Sequence, residues 1–218
     1  MALSKFEYNS FDVTPVASNA FAFNSTPNGL TTAAAGAMTL ITTNTISSGV
    51  TSSSFTSNID STYDTYLFKY INIHPATDNA DFTFNMSADG GSNYNVTKTT
   101  TWFGPYSKED GAAAALSYES SNDLAQSTGY QILAKDPEAN SADGSINGEL
   151  FLFNPSSTTF VKHFIARLNY MADTYSYAVY CAGYGNTTSA VNAIDFKHAS
   201  GNIDSGVIKM YGLSKSWA

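Results

Sequence analysis

Apolar and polar positions alternate along most of this chain with a period of two, the signature of strands with a covered and an open face. Phe82, Phe84 and Met86 alternate with Thr83, Asn85 and Ser87 in DFTFNMS. Ile146, Gly148, Leu150 and Leu152 alternate with Glu149, Phe151 and Phe153 in SINGELFLFNP, which Asn-Pro ends. In TYLFKYINI, Tyr66, Phe68 and Tyr70 oppose Leu67, Ile71 and Ile73. Both faces there are apolar, which predicts a central strand covered on two sides. ADGGSNY is a turn signal, because glycine tolerates positive φ, and residues 80–103 read as a hairpin.

TFVKHFIARLNYM suits a strand or a short helix, and its β-branched and aromatic residues favour strand. SYAVYCAGYG, AIDFKHA and GVIKMYGL complete the C-terminal third, and VASNAFAF, MTLITTNTI and VTSSSFT are earlier candidates. About ten short strands at 8–12-residue spacing predict an all-β sandwich or barrel. Helix signal is thin: four consecutive Ala in DGAAAALSYESS and the segment SNDLAQS. Residues 104–145 read as a long excursion between strands. NSTPNGLTTAAAGAM, low in bulk, reads as a linker, which sets an N-terminal arm at 1–38 and a β domain at 39–218. Phe6, Tyr8, Phe11, Phe21 and Phe23 give that arm apolar surface to bury on a neighbour or on a larger particle.

Composition narrows the function. Ten Lys+Arg face eighteen Asp+Glu, a net charge of −8. So few bases argue against nucleic acid, whose phosphates demand several Lys/Arg, and against an anionic membrane surface. No apolar run approaches the ~20 residues of a membrane helix. None supplies the ~7–15-residue core of a secretory signal near the first residue either, so the expectation is synthesis in a cytoplasm. Charged residues are only 13% of the chain, while Ser, Thr and Asn supply 71 of 218 residues. A surface made soluble by uncharged polar groups packs against copies of itself without desolvating ions.

Candidate chemistry is sparse. The single cysteine, Cys181, excludes an internal disulfide and reads as a small buried hydrophobe. His74, His163 and His198 accompany no G-x-S-x-G elbow and no H-E-x-x-H. Asp136, Glu138 and Asp143 share one loop and resemble a loose Ca²⁺ site, without the spacing of a helix–loop–helix calcium loop. No cofactor is implied. Glu119, Glu149, Asp173 and Asp195 are the carboxylates outside turns, with Glu149 the best placed for a polysaccharide hydrolase. Trp102, Phe103 and Tyr106 cluster in TWFGPY, where aromatic rings can stack on sugars or cap the core.

SNAFAFNSTPNGLTT (18–32), STYDTYLFKYINIHPATDNADFTFNMSADGGSNY (61–94), GELFLFNPSSTTFVKHF (148–164) and HASGNIDSGVIKMYGL (198–213) resemble a family of small virion-associated β proteins of tailed phages of marine bacteria. The resemblance covers most of the chain. It implies a jelly-roll-like antiparallel β-sandwich with an N-terminal arm, made in the host bacterium and carried on the virion. It implies a non-enzymatic structural protein that decorates the capsid or forms part of the tail or fibre. Its partners would be other virion proteins and sister copies, in a homotrimer that matches the threefold symmetry of capsid sites and fibres. A host-surface carbohydrate-binding module is the alternative, and a polysaccharide hydrolase ranks third.

Overall fold

The structure is a computed structural model and describes residues 19–23, 30–34 and 38–213. The chain divides into two units, residues 1–39 and residues 40–218. In the first, β1 (Asn19–Phe23) and β2 (Leu30–Ala34) form an antiparallel hairpin.

The second unit is an all-β sandwich. The remaining strands are β3 (Met38–Ile46), β4 (Ser53–Phe55), β5 (Thr65–Pro75), β6 (Phe82–Ser87), β7 (Lys98–Lys108), β8 (Ala114–Tyr118), β9 (Gln131–Ala134), β10 (Ile146–Phe153), β11 (Lys162–Ala172), β12 (Tyr175–Gly185), β13 (Ala193–His198) and β14 (Ile203–Leu213). They form an eight-stranded sheet, β3-β14-β5-β10-β11-β12-β7-β8, and a four-stranded sheet, β4-β13-β6-β9. Neighbours nest as β3·β14, β4·β13, β5·β10, β6·β9 and β7·β8, alternating between the sheets. That is how a chain doubled into one long hairpin wraps around a core. The uneven eight-and-four split and the inserted β11–β12 hairpin set it apart from an eight-stranded, two-Greek-key jelly roll.

Alternation explains the core. On the large sheet Tyr66, Phe68, Tyr70, Leu150, Leu152, Phe164, Leu168, Val179 and Trp102 point inward and are buried. On the small sheet Phe82, Phe84, Met86, Ile194 and Phe196 meet them. Phe196 is the hub, 5.5 Å from Phe68 and 5.3 Å from Tyr70 across the sandwich. Phe84 meets Phe164 edge-on at 4.9 Å. Such ring pairs add about 0.5–1.5 kcal/mol beyond burial.

Four local expectations need correction. Residues 80–103 are no hairpin: the turn forms, with Gly90 and Gly91 at φ 73° and 88°, but β6 and β7 join different sheets. The residues after the turn carry the chain across the sandwich before β7 starts. The alanine-rich segment is an edge strand, because pairing of β8 with β7 outweighs the weak helix propensity of a short run. Only Ser120–Asn122 turns, as a single 3-10 turn. The strand through TWF runs on past Gly104 and Pro105 to Lys108, and β8 and β9 interrupt the supposed excursion. A Cβ at Gly104 would lie 2.7 Å from the Ala178 carbonyl oxygen, so glycine here permits close strand approach. Finally, Thr83, Asn85 and Ser87 point away from the core yet are buried. Their polar groups are satisfied by the Lys197 carbonyl, by the Tyr94 and Thr128 carbonyls, and by Asp89.

Candidate functional site

Two regions of the second unit have the shape of a recognition surface. One is a cleft of about 310 Å³ at the edge where β7 and β8 meet the ends of β9, β11 and β12. Trp102, Tyr106, Glu119, Asn122, Lys135, Asp136, Tyr170 and Tyr177 line it. Tyr170 stacks on Tyr177 at 5.4 Å, and Tyr106 leans on Tyr177 at 5.5 Å. The Tyr170 hydroxyl accepts the Lys135 backbone N–H at 3.0 Å. Burial raises the Tyr170 hydroxyl's pKa above the usual phenol range. Burial also raises that of Tyr177, with Tyr106, Tyr175, Glu119 and Asp136 adding to it. The Lys135 ammonium donates to Asp136 at 2.9 Å and to Asp81 at 3.1 Å. Burial alone would lower its pKa, but these two carboxylates hold it above the ordinary lysine value.

The other region is the outer face of the large sheet. One register row crosses it: Lys209, Lys69, Glu149, Arg167, Tyr180, Phe103 and Tyr118. Arg167 Nε donates to Glu149 Oε1 at 2.6 Å. Phe103 stacks on Tyr180 at 5.4 Å with planes 13° apart. Ile71, Phe103, Ile165 and Tyr180 are 39–48% exposed, and Leu116 and Tyr118 more so. An apolar hollow beside the row is lined by Phe151, Phe153, Ile165, Tyr180 and Leu213.

These regions divide the expected residues. Trp102 and Tyr106 share the cleft, but Phe103 lies on the opposite face of the same strand, so the three do not form one site. Trp102 is only 2% exposed, with its indole N–H aimed at the Leu133 carbonyl at 3.4 Å; it packs rather than presenting a ring. Asp136, Glu138 and Asp143 do not converge. Asp136 pairs with Lys135, Asp143 accepts from the Ser141 hydroxyl, and no group of three potential metal ligands occurs among the described residues. Glu149 faces Lys69 and Arg167 rather than a second carboxylate, which leaves no partner for glycoside hydrolysis there. Cys181 is buried and free, and burial raises its thiol pKa. His198 Nδ1–H donates to the Ala80 carbonyl at 2.7 Å inside the sandwich, while His163 lies on the outer face against Tyr184. Phe6, Tyr8 and Phe11 lie outside the described residues; Phe21 and Phe23 stand in β1.

Sequence reading named Glu119 only as a carboxylate outside turns and missed Tyr170 and Tyr177 in the cleft and Ile165, Arg167 and Tyr180 on the outer face. The outer set carried a signal: large side chains occupy the odd as well as the even positions of HFIARL and SYAVYCA. No helix among the described residues is long and apolar enough to cross a membrane. Comparison with family models, curated proteins and solved structures gives no match.

Proposed function

We propose that this chain is a non-enzymatic building block of a bacteriophage particle, assembling through the outer face of its large sheet. The supporting observation is the exposed aromatic row on that face. Six neighbouring strands at ~4.8 Å spacing, each giving about eight residues at ~3.3 Å rise, span on the order of 750 Å². A standard interface needs ~800 Å² from each partner. The row is basic at its β14–β5 end and aromatic at its β7–β8 end, in a chain of net charge −8. A face with two unlike ends suits a head-to-tail contact that closes into a ring, and a trimer fits the threefold sites of capsids and fibres. The phage assignment rests on the sequence resemblance.

Light scattering on the full chain tests the assembly: a trimer is expected, and Ile165→Lys with Tyr180→Lys should give a folded monomer. A wild-type monomer at high concentration overturns it. Purified particles of the source phage should contain the chain in many copies; its absence from them removes the virion reading.

A second reading, binding of a host glycan, is favoured by the cleft, where the Tyr106–Tyr177–Tyr170 stack adjoins Glu119, Asn122 and Asp136. Trp102 is too deeply packed to be a clean probe, so Tyr106→Ala is the better variant. Loss of binding to host polysaccharide with unchanged oligomeric mass would favour this reading.

A further inference from the structure

Lys98 and Asn85 meet inside the protein with no solvent around them. Both are fully buried. The Lys98 amine donates to Asn85 Oδ1 and, at 2.8 Å, to the Val96 carbonyl, and no carboxylate pairs with it among the described residues. A neutral amine has two hydrogens and one lone pair, so two acceptors satisfy its hydrogens and leave the lone pair unpartnered. Lys162, two strands away and flanking the same Gly185, behaves differently. Its amine donates to three carbonyls, of Ser157, Phe160 and Thr187, at 2.6, 2.8 and 3.2 Å. Three acceptors match the three hydrogens of an ammonium. Lys162 thus has an acceptor for every hydrogen of an ammonium, although burial lowers its pKa too, whereas Lys98 has acceptors for the two hydrogens of a free amine and touches a carboxamide.

The carboxamide is also held for attack. Asn85 Oδ1 accepts the Met86 backbone N–H at 2.9 Å, a fixed donor where negative charge develops when a nucleophile adds to the carbonyl carbon. Its Nδ2 is tethered to the Tyr94 and Thr128 carbonyls, so the group cannot swing away. Full burial of both side chains excludes the water that would hydrolyse or solvate the pair. Burial lowers the Lys98 pKa to about 7, which leaves the amine neutral in mildly alkaline solution.

From this arrangement we propose that Lys98 and Asn85 join in an intramolecular isopeptide bond. Lys98 Nζ adds to Asn85 Cγ, and the Cγ–Nδ2 bond breaks. Nζ keeps one hydrogen, the other passes to Nδ2, and Nδ2 leaves as ammonia. Asp195, opposite Asn85 in the β13–β6 ladder, is occupied by the Ser54 and Tyr130 hydroxyls, so the proton passes directly from Nζ to Nδ2. No oxidant, metal or cofactor enters the balance. The bond would tie β6 of the small sheet to β7 of the large one, in a chain whose single cysteine offers no disulfide to do so.

Intact-mass measurement on purified full-length protein, incubated at mildly alkaline pH, is the direct test. The expected mass is the sequence mass less one ammonia, and tandem fragmentation should recover the Lys98 and Asn85 peptides joined. Lys98→Met and Lys98→Arg should both show their full sequence mass. Wild-type protein at full sequence mass, with Lys98 and Asn85 in separate peptides, overturns the proposal and needs no variant to fold.

Discussion

The two faces of the large sheet are made by the same strands and differ only in residue parity, yet they meet different fates. On the inner face, even positions of β11 supply Phe164, Ala166, Leu168 and Tyr170, all below 5% exposure. On the outer face, odd positions supply His163, Ile165, Arg167 and Asn169, with Ile165 48% exposed. β12 repeats the contrast, with Val179 and Cys181 inside and Tyr180 outside. The inner face is covered by a four-stranded sheet of its own chain. The outer face carries rings of similar size without an equivalent layer among the described residues of the second unit. Burial of a large apolar side chain contributes about 1.5–3 kcal/mol, so rings left half open on a sheet mark a surface whose stabilisation is realised elsewhere. Under the proposed assembly, that elsewhere is a neighbouring copy.

The largest expected effect lies inside. Phe196 touches five aromatic rings of both sheets and is fully buried. Phe196→Ala should lower unfolding stability by about 3–5 kcal/mol in urea titration. An effect below about 1 kcal/mol would mean that the two sheets are not joined by this ring cluster. The matching experiment outside, Ile165→Lys with Tyr180→Lys, should lower the mass in solution from trimer to monomer, while its denaturation curve stays within about 1 kcal/mol of wild type diluted to the point of dissociation. Equal stability losses on the two faces would erase the distinction between them.

That distinction was only half legible in the sequence. Alternation located β5, β6 and β10, sorted their side chains into two sets and named the inner set of β6, because a half-turn per residue sorts side chains by face whatever the tertiary context. It did not say which apolar face its own chain would cover. Reading Leu67 and Ile71 as one buried set illustrates this: Leu67 is 4% exposed, Ile71 39%. Nor does local pattern report which sheet a strand joins, so a sound turn at Gly90–Gly91 read as a hairpin. The cleft was legible at Trp102, Tyr106, Glu119 and Asp136 singly but not as one site, since Glu119, Tyr170 and Tyr177 reach it from segments whose proximity depends on strand order. Trp102 and Phe103 looked like one cluster because they are adjacent, and adjacency in a strand means opposite faces.

A smaller effect comes from a histidine on the inner side of the comparison. His198 is enclosed against Phe82 at 5.4 Å. Burial lowers its pKa, with His74 adding to the shift and the Ala80 carbonyl opposing it. A histidine that binds its proton more weakly when folded is neutral in both states above the unfolded value of about 6.5. As pH falls below that value, the unfolded chain takes up the proton first, and stability is lost until pH passes below the folded pKa. The urea midpoint of wild type should therefore drop between pH 7 and pH 5, and His198→Gln should flatten that drop. If His198→Gln leaves the drop unchanged, the enclosed imidazole is not its source and the inside assignment of His198 is wrong.

The smallest expected effect on stability tests the charged part of the outer row. The Arg167 side chain is 65% exposed and that of Glu149 13%. Exposed pairs contribute about 0–1 kcal/mol, because water screens them and ordering two side chains costs entropy. Arg167→Ala should therefore shift the unfolding midpoint little. Its consequence belongs to assembly: Arg167 sits between the basic end of the row and Tyr180, so its removal takes charge from the part of the face that would meet an acidic neighbour. Association of the variant should be weaker than wild type at low ionic strength and converge with it at about 1 M salt, where the Debye length is only ~3 Å. Salt-independent weakening would assign Arg167 to packing through its aliphatic stem. No weakening at all would confine the contact to the aromatic half of the face, where Phe103 and Tyr180 stack.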